Sequence, residues 1–186
     1  MMAVETPVCD FGTPAKEFSL MGVDGEKWDL ERCKGPKGLL IMFICNHCPY
    51  VKAIRERLIR DASELQAVGI GVVAINSNDA VQYPDDSFEA MQATAREYGY
   101  PFPYLFDETQ DVARAYDAVC TPDFFGYNAA GELQYRGRLD SSRKETAPED
   151  APRELYEAMK QVAETGRGPD EQVPSMGCSI KWKSVD

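Results

Sequence analysis

The chain has 186 residues, 44% of them apolar, which is enough for one globular domain with its own hydrophobic core. Its formal net charge of -11 excludes a general nucleic-acid or anionic-membrane surface, because both need positive charge to displace counterions or meet lipid. The N-terminus has no basic segment followed by an apolar core, and no apolar run approaches the roughly 18 residues of a membrane span. We therefore expect a cytoplasmic protein with neither a nucleic-acid partner nor a membrane partner.

The first predicted elements are two short strands and a longer buried one. Residues 18–21 and 27–30 flank an Asp-Gly turn and predict an N-terminal β-hairpin. A Gly-Pro-Lys-Gly break at residues 35–38 then precedes an almost uninterrupted apolar run over residues 38–44. Such a run is typical of a central strand that is covered on both faces.

A long amphipathic helix is predicted directly after this strand. Between Val51 and Val68, apolar residues recur at three- and four-residue spacing, and charged residues fill the positions between them. Residues 70–76 predict a second buried strand, so the strand-helix-strand order indicates parallel pairing with a right-handed crossover. We therefore predict an α/β fold, with a central mixed β-sheet flanked by helices.

Shorter elements complete the chain. The patterns predict a helix from Asp86 or Ser87 to about Tyr98, a strand over residues 104–106, and a hairpin around residues 128–131. Further helices are predicted over residues 111–119 and 148–165. We expect a single domain over residues 1–186, with a core at about 5–165 and a C-terminal tail, or extension, at 166–186.

Two cysteines separated by two residues lie at the junction between the central strand and the long helix. We expect Cys45 in the first turn of that helix, where free N–H groups and the positive dipole end would lower its thiol pKa. The thiolate is the nucleophile of disulfide exchange, so Cys45 would attack and Cys48 would then form a Cys45–Cys48 bridge. His47, the only histidine, would favour the thiolate as a cation or a hydrogen-bond donor.

The order of elements, the motif Cys45-Asn46-His47-Cys48 and the later Thr121-Pro122 together resemble the thioredoxin-like superfamily. The chain looks most similar to the redoxin branch, which includes alkyl hydroperoxide reductase/thiol-specific antioxidant and TlpA/ResA-like proteins. This resemblance implies a thioredoxin-like fold in which a cis Pro122 faces the cysteine pair. It also implies that Cys45, His47, Cys48, Thr121 and Pro122 are the site residues.

The chain departs from the pattern of these relatives at two places. Peroxiredoxins carry a threonine three residues before their peroxide-reactive cysteine, and Met42 stands at that position here. Many thioredoxins bury an acidic residue beneath the pair on the preceding strand, where this chain has only apolar residues at 39–41. We therefore expect proton transfer at Cys48 to use water or another group.

Two more cysteines are candidate redox residues. Cys120 lies two residues before Pro122, so it is either a nearby redox thiol or a packed strand-end thiol. Cys178 follows the last predicted helix, in a tail whose Ile180 and Trp182 indicate docking on the body. Because similar redoxin-like chains end in a comparable Gly-Cys-Ser-Ile-Lys-Trp stretch, we hypothesise that Cys178 reaches the Cys45 region as an additional or resolving thiol.

Three functions follow from these residues. The leading one is an enzyme, a thiol-disulfide oxidoreductase that exchanges disulfides with protein or low-molecular-weight partners and is served by an external thiol reductant. The second is an antioxidant thiol peroxidase that uses Cys45 on peroxides, with Arg136 or Arg138 as a supporting cation. The third is a metal-binding module in which zinc or copper is held by Cys45, His47 and Cys48 together with Cys120 or Cys178. For the leading function we expect no cofactor and no metal.

Overall fold

The computed structural model describes residues 2–185 and has the mixed α/β architecture expected from the sequence. The strands are β1 Ala3–Glu5, β2 Ser19–Gly22, β3 Lys27–Asp29, β4 Gly38–Phe43, β5 Ile70–Asn76, β6 Tyr104–Phe106, β7 Cys120–Thr121, β8 Asp123–Asn128, β9 Leu133–Tyr135 and β10 Met176–Ser179. The helices are α1 Leu30–Cys33, α2 Pro49–Ala67, α3 Phe88–Tyr98, α4 Asp111–Ala115 and α5 Glu154–Thr165, with a single 3₁₀ turn at Pro84–Asp86.

The main sheet is mixed. One half has the order β3-β2-β6-β5 and the other half the order β4-β8-β9. The halves meet where β4 runs beside β5, since the amide of Ile44 donates to the carbonyl of Ile75 at 3.0 Å. Strands β5 and β6 pair in parallel, whereas β2–β3, β4–β8 and β8–β9 are antiparallel. The predicted N-terminal hairpin is therefore confirmed as β2–β3.

Strand β4 is buried on both faces, which explains its continuous apolar sequence. Leu40, Met42 and Ile44 pack into one apolar cluster together with the inner faces of α2 and α5. Leu39, Ile41 and Phe43 point into a second cluster on the opposite face of the sheet, together with side chains of α1 and α4. The strand ends two residues before Cys45, so both apolar clusters pack against the strand that leads into the cysteine pair.

Helix α2 presents its apolar stripe to the first of these clusters, as its sequence predicted. The side chains that the stripe buries are Val51, Ile54, Leu58, Ala62 and Leu65. Proline at the first helical position suits a helix start, because the ring fixes φ and the missing N–H would have no partner within the helix.

Two predicted helices are shorter than expected. Helix α5 begins at Glu154 rather than at 148, because Pro152 disfavours helical backbone in the residue before it. Helix α4 ends at Ala115 rather than at 119, since Asp117 has a positive φ of 53° that no α-helix contains. In both cases, residues that were predicted to be helical lie in a loop.

The C-terminal extension is a structural part of the molecule. Its strand β10 lies between β1 and β7 in a second, antiparallel sheet, with Cys178 opposite both Ala3 and Thr121. The next residue but one, Ile180, is buried in the second apolar cluster. This arrangement carries Cys178 back to the start of α2. Across residues 2–185, no helix combines the length and apolar character needed to cross a bilayer.

Candidate active site

The cysteine pair lies where β4 ends and α2 begins, but the helix starts later than expected. It begins at Pro49, so Cys48 occupies the N-cap and Cys45 lies in the loop before the helix. The expectation that Cys45 sits in the first turn is therefore wrong. The loop between the cysteines is held away from helical geometry because the amide of Asn46 donates to the carboxylate of Asp86 at 2.8 Å.

Thr121, the residue before the cis peptide bond to Pro122, contacts both sulfur atoms of the pair. Its hydroxyl oxygen lies 3.3 Å from Cys45 Sγ, and its carbonyl oxygen lies 3.2 Å from Cys48 Sγ. A hydroxyl can donate to a thiolate, whereas a carbonyl can only accept from a thiol. Thr121 is thus placed to stabilise an anionic Cys45 beside a protonated Cys48.

Cys178 reaches the pair on the side of Cys48. Its Sγ lies 2.8 Å from Cys48 Sγ, and both residues are buried as free thiols. Cys178 therefore lies close to the candidate site, as hypothesised, and the sulfur that it contacts is that of Cys48. The redox role of Cys178 stays a prediction.

The two thiols of the pair have opposite pKa shifts. The hydrogen bond with Cys45 lowers the pKa of Cys48 to about 5, helped by contacts with Cys178 and by the N–H of Val51, and against the effect of burial. The same hydrogen bond, together with burial and the charge of Asp86, raises the pKa of Cys45 well above its usual value. The pair therefore holds one proton between two sulfur atoms.

A buried carboxylate next to the pair is the main feature of the site that the sequence did not predict. Asp86 has no solvent exposure and accepts hydrogen bonds from three asparagines, namely Asn46 N at 2.8 Å, Asn76 Nδ2 at 3.3 Å and Asn78 Nδ2 at 2.9 Å. Its Oδ2 also lies 2.6 Å from Nδ1 of His47. The sequence places Asp86 forty positions from the motif, where its pattern indicated only a helix cap.

His47 and Asp86 form an ion pair next to the thiols. The hydrogen bond to Asp86 raises the pKa of His47, while burial opposes this effect. Burial alone would raise the pKa of Asp86, but hydrogen bonds from His47, Asn78 and Asn46 hold it below its usual range. The ring of His47 stacks on Tyr83 at 6.0 Å and its side chain remains 17% exposed, so His47 is the part of the motif nearest the surface.

Comparison with known proteins assigns the chain to a family. The family model described as AhpC/TSA family matches residues 11–136, which is more than half of the chain. The chain belongs to the AhpC/TSA family. A curated relative, the thiol-disulfide oxidoreductase ResA of Bacillus subtilis (strain 168), is 26% identical over 122 residues. That match covers 66% of this chain and 64% of ResA, which is less than two thirds of the relative's length.

Solved structures show the same fold. An uncharacterised conserved protein from Geobacillus kaustophilus is 48% identical, with a TM-score of 0.94 over 100% of this chain and 99% of that one. The thioredoxin domain of a thiol-disulfide oxidoreductase from Bacteroides vulgatus superimposes with a TM-score of 0.61 at 16% identity, over 82% of this chain and 97% of that domain. The thioredoxin-like fold expected from the sequence is confirmed.

The arginines considered for a peroxidase site of this AhpC/TSA protein are already paired. Arg136 contacts buried Asp123 at 3.1 Å, and Arg138 contacts Glu154 at 2.6 Å. Met42 stands at the position of the peroxiredoxin threonine, where it provides no hydroxyl, and its side chain packs in the first apolar cluster. Each of these groups serves packing or a salt bridge in this structure.

Cys120 is buried, and its Sγ makes a contact of 3.5 Å with the carbonyl of Pro122. Burial raises the pKa of this thiol. Its redox role stays a prediction.

Cys45 and two groups beside it form a cluster of the ligand types that bind cations. Ligand atoms of Cys45, His47 and Asp86 lie within 4.8 Å of one another. This set differs from the expected one, since it replaces cysteines by a carboxylate. Asp86 already accepts the asparagine hydrogen bonds described above and pairs with His47, so its oxygens serve the ion pair and the loop.

Proposed function

We propose that this AhpC/TSA-family protein is a thiol-disulfide oxidoreductase that exchanges disulfides with protein or low-molecular-weight partners through Cys45 and Cys48. The observation that carries the proposal is the contact of Thr121 with both sulfur atoms, at 3.3 Å and 3.2 Å. The name of the relative ResA, a thiol-disulfide oxidoreductase, supports the same reaction class.

The first step is a proton shift within the pair. In the reduced protein the two sulfur atoms share one proton, and the lowered pKa of Cys48 favours the negative charge on that sulfur. When Cys48 takes the proton of Cys45, the hydrogen bond that raised the pKa of Cys45 no longer opposes its ionisation. The Thr121 hydroxyl then donates to the Cys45 thiolate and the Thr121 carbonyl accepts from the Cys48 thiol. Cys48 thus acts as the base that activates Cys45.

The exchange itself transfers two electrons. The Cys45 thiolate attacks one sulfur of the substrate disulfide, which forms a mixed disulfide and releases the other sulfur as a thiolate that takes a proton. Cys48 then loses its proton and attacks Cys45 Sγ, which releases the second substrate thiol. The substrate is reduced to two thiols and the protein keeps a Cys45–Cys48 disulfide. An external thiol reductant restores the pair, and we propose the cytoplasm as the compartment.

The environment of the pair constrains how a substrate enters. Cys45 is only 1% exposed, whereas the neighbouring His47 side chain reaches the surface. A partner disulfide would therefore approach beside His47 and displace local side chains before it meets Cys45. Pro122, which follows Thr121, would shape the other wall of this entrance.

Single-cysteine variants test the proposal. We expect Cys45→Ser to reduce oxidised glutathione far more slowly than wild type, because the attacking sulfur is lost and only the buried Cys48 can react. We expect Cys48→Ser to accumulate a mixed disulfide at Cys45, since nothing resolves it. Turnover is measured with an added dithiol reductant, and the mixed disulfide is sought by non-reducing mass analysis in a separate mixture that contains no reductant.

Cys33→Ser serves as the matched control, because Cys33 is also buried but lies in the second apolar cluster. We expect that variant to keep wild-type turnover. Full activity in a folded Cys45→Ser protein would contradict the proposal.

A further inference from the structure

A third thiol touches the proposed pair. Cys178 Sγ lies 2.8 Å from Cys48 Sγ, which is about 0.8 Å longer than a typical disulfide bond. Both side chains are buried, so solvent does not separate them. Cys48 therefore lies between two possible bonding partners, Cys45 and Cys178.

The fold holds Cys178 in this position from both sides. Strand β10 pairs with β1 and with β7, and the register places Cys178 directly opposite Thr121, the residue that contacts both sulfurs of the pair. The preceding Gly177 allows the close approach, since a Cβ there would lie 2.0 Å from the carbonyl oxygen of Thr121. The contact between Cys48 and Cys178 is thus a consequence of sheet pairing and not of a loose tail.

We propose that Cys178 is a third redox thiol of this site, which competes with Cys45 for Cys48 and moves the protein's disulfide from Cys45–Cys48 to Cys48–Cys178. The inference rests on the proposed function and deepens it, because it assigns a second oxidised form to the same site.

The transfer is a thiol-disulfide isomerisation. Cys178 loses its proton, and its thiolate attacks Cys48 Sγ of the Cys45–Cys48 disulfide. The bond between Cys48 and Cys178 forms as the bond between Cys45 and Cys48 breaks, and Cys45 leaves as a thiolate that takes a proton. No electron enters or leaves, so the chain keeps the two-electron oxidation gained from the substrate.

The charges around Cys178 bear on this step. Burial and the neighbouring Cys48 thiolate raise the pKa of Cys178 to about 12, whereas Lys181 and Lys144 act in the opposite direction. Once Cys48 is in a disulfide it carries no charge, and one cause of the high pKa is removed. The Cys178 thiol therefore becomes easier to ionise when a disulfide at Cys48 is available for attack.

The second oxidised form changes what Cys45 can do. With Cys48 bonded to Cys178, Cys45 is a free thiol beside the entrance, and no neighbouring thiol is left to resolve a mixed disulfide there. The protein can then react with a second disulfide molecule before any reductant restores it. The expected consequence is a long-lived mixed disulfide at Cys45 in oxidised wild type.

Linkage mapping tests the inference. Reduced protein is mixed with oxidised glutathione, quenched in acid, alkylated, digested without reduction and mapped by mass spectrometry. We expect both Cys45–Cys48 and Cys48–Cys178 linkages in wild type and in the control Cys33→Ser. We expect folded Cys45→Ser to form Cys48–Cys178, and Cys45→Ser/Cys178→Ser to lose that linkage completely and to retain glutathione on Cys48.

The outcomes separate the two proposals. If Cys45→Ser retains glutathione on Cys48 and forms no linkage to Cys178, the inference is overturned, while a Cys45–Cys48 linkage in wild type keeps the proposed function. If wild type forms Cys48–Cys178 and shows no Cys45–Cys48 linkage even at the shortest quench times, the proposed function fails, while Cys178 still stands as a redox thiol that bonds to Cys48. Should Cys45→Ser not fold, the wild-type map decides: a Cys48–Cys178 linkage supports the inference, and its absence, or a linkage of Cys178 to Cys120, overturns it.

Discussion

At the residue scale, the ion pair of His47 and Asp86 makes the stability of the protein depend on pH. The pKa of His47 is raised and that of Asp86 is lowered, so each group is more easily charged in the folded protein. The histidine contribution to stability is fully present below the unfolded pKa of about 6.5 and is lost as pH rises through the higher folded pKa. The aspartate contribution is present above about 3.9 and is lost as pH falls through the lower folded pKa.

His47→Gln removes the cation and leaves Asp86 buried with its asparagine donors. We expect the variant to have a lower free energy of unfolding than wild type, and we expect this difference to be larger at about pH 6 than at about pH 9. The reason is that the histidine contribution to stability is lost as the pH rises. Urea denaturation at both values is the measurement. Tyr83→Phe is the control, since it keeps the ring that stacks on His47 and should show a pH-independent difference. An equal effect of His47→Gln at both values would show that the ion pair does not form.

Residue identities alone predicted only part of this site. The cysteine motif was visible because its spacing and residue types carry the signal, and Thr121-Pro122 was singled out by the resemblance to thioredoxin-like chains. Asp86 was not visible, because it joins the site only when the fold brings it to the backbone of Asn46, which is distant in sequence. The low pKa of Cys48 was also hidden, since two of its causes are contacts with Cys45 and Cys178.

At the scale of elements, strand β10 decides whether the third thiol can work. It carries Cys178, and Gly177 lets it lie against β7. We expect Gly177→Ala to force the two strands apart, because the new methyl group would overlap the Thr121 carbonyl. The expected loss of stability is about 1–3 kcal/mol, as for other overpacked sites.

Gly177→Ala should also reduce the Cys48–Cys178 linkage several-fold relative to Cys45–Cys48 in the same peptide map. Ser179→Ala is the matched control, because it alters the same strand at a half-buried position and leaves the Thr121 contact unchanged. A stable Gly177→Ala protein with a wild-type ratio of linkages would mean that the strand contact does not govern the exchange.

Helices and strands with a clear apolar pattern could be predicted from the sequence, but the residues at which they begin and end were harder to predict. The apolar run of β4 and the stripe of α2 mark buried faces, and both elements were found where the patterns placed them. The start of α2 was misjudged, because the choice of Cys48 as N-cap depends on Pro49 and on the hydrogen bonds that hold the preceding loop. The strand at β10 lacked a local signature, since its pairing partners β1 and β7 lie far away in sequence.

At the scale of the whole molecule, the candidate site lies where the two sheets meet. The main sheet contains β4, which leads into the cysteine pair and the start of α2, while the second sheet contains Thr121 and Cys178. The α/β class and the thioredoxin-like fold followed from the order of elements and the motif. The meeting of the sheets required three-dimensional information, because it joins the two ends of the chain through β1 and β10.

The most direct test of the central claim compares two oxidants on one sulfur. Reduced wild type is mixed with oxidised glutathione or with hydrogen peroxide, and the loss of the Cys45 thiol is followed by quenched alkylation and mass mapping. We expect the disulfide to produce a Cys45–Cys48 bridge. We expect peroxide to react with Cys45 no faster than with an ordinary thiolate, because Met42 supplies no hydroxyl and Arg136 and Arg138 are paired. Loss of Cys45 to peroxide that is faster by orders of magnitude would contradict it and identify a peroxidase.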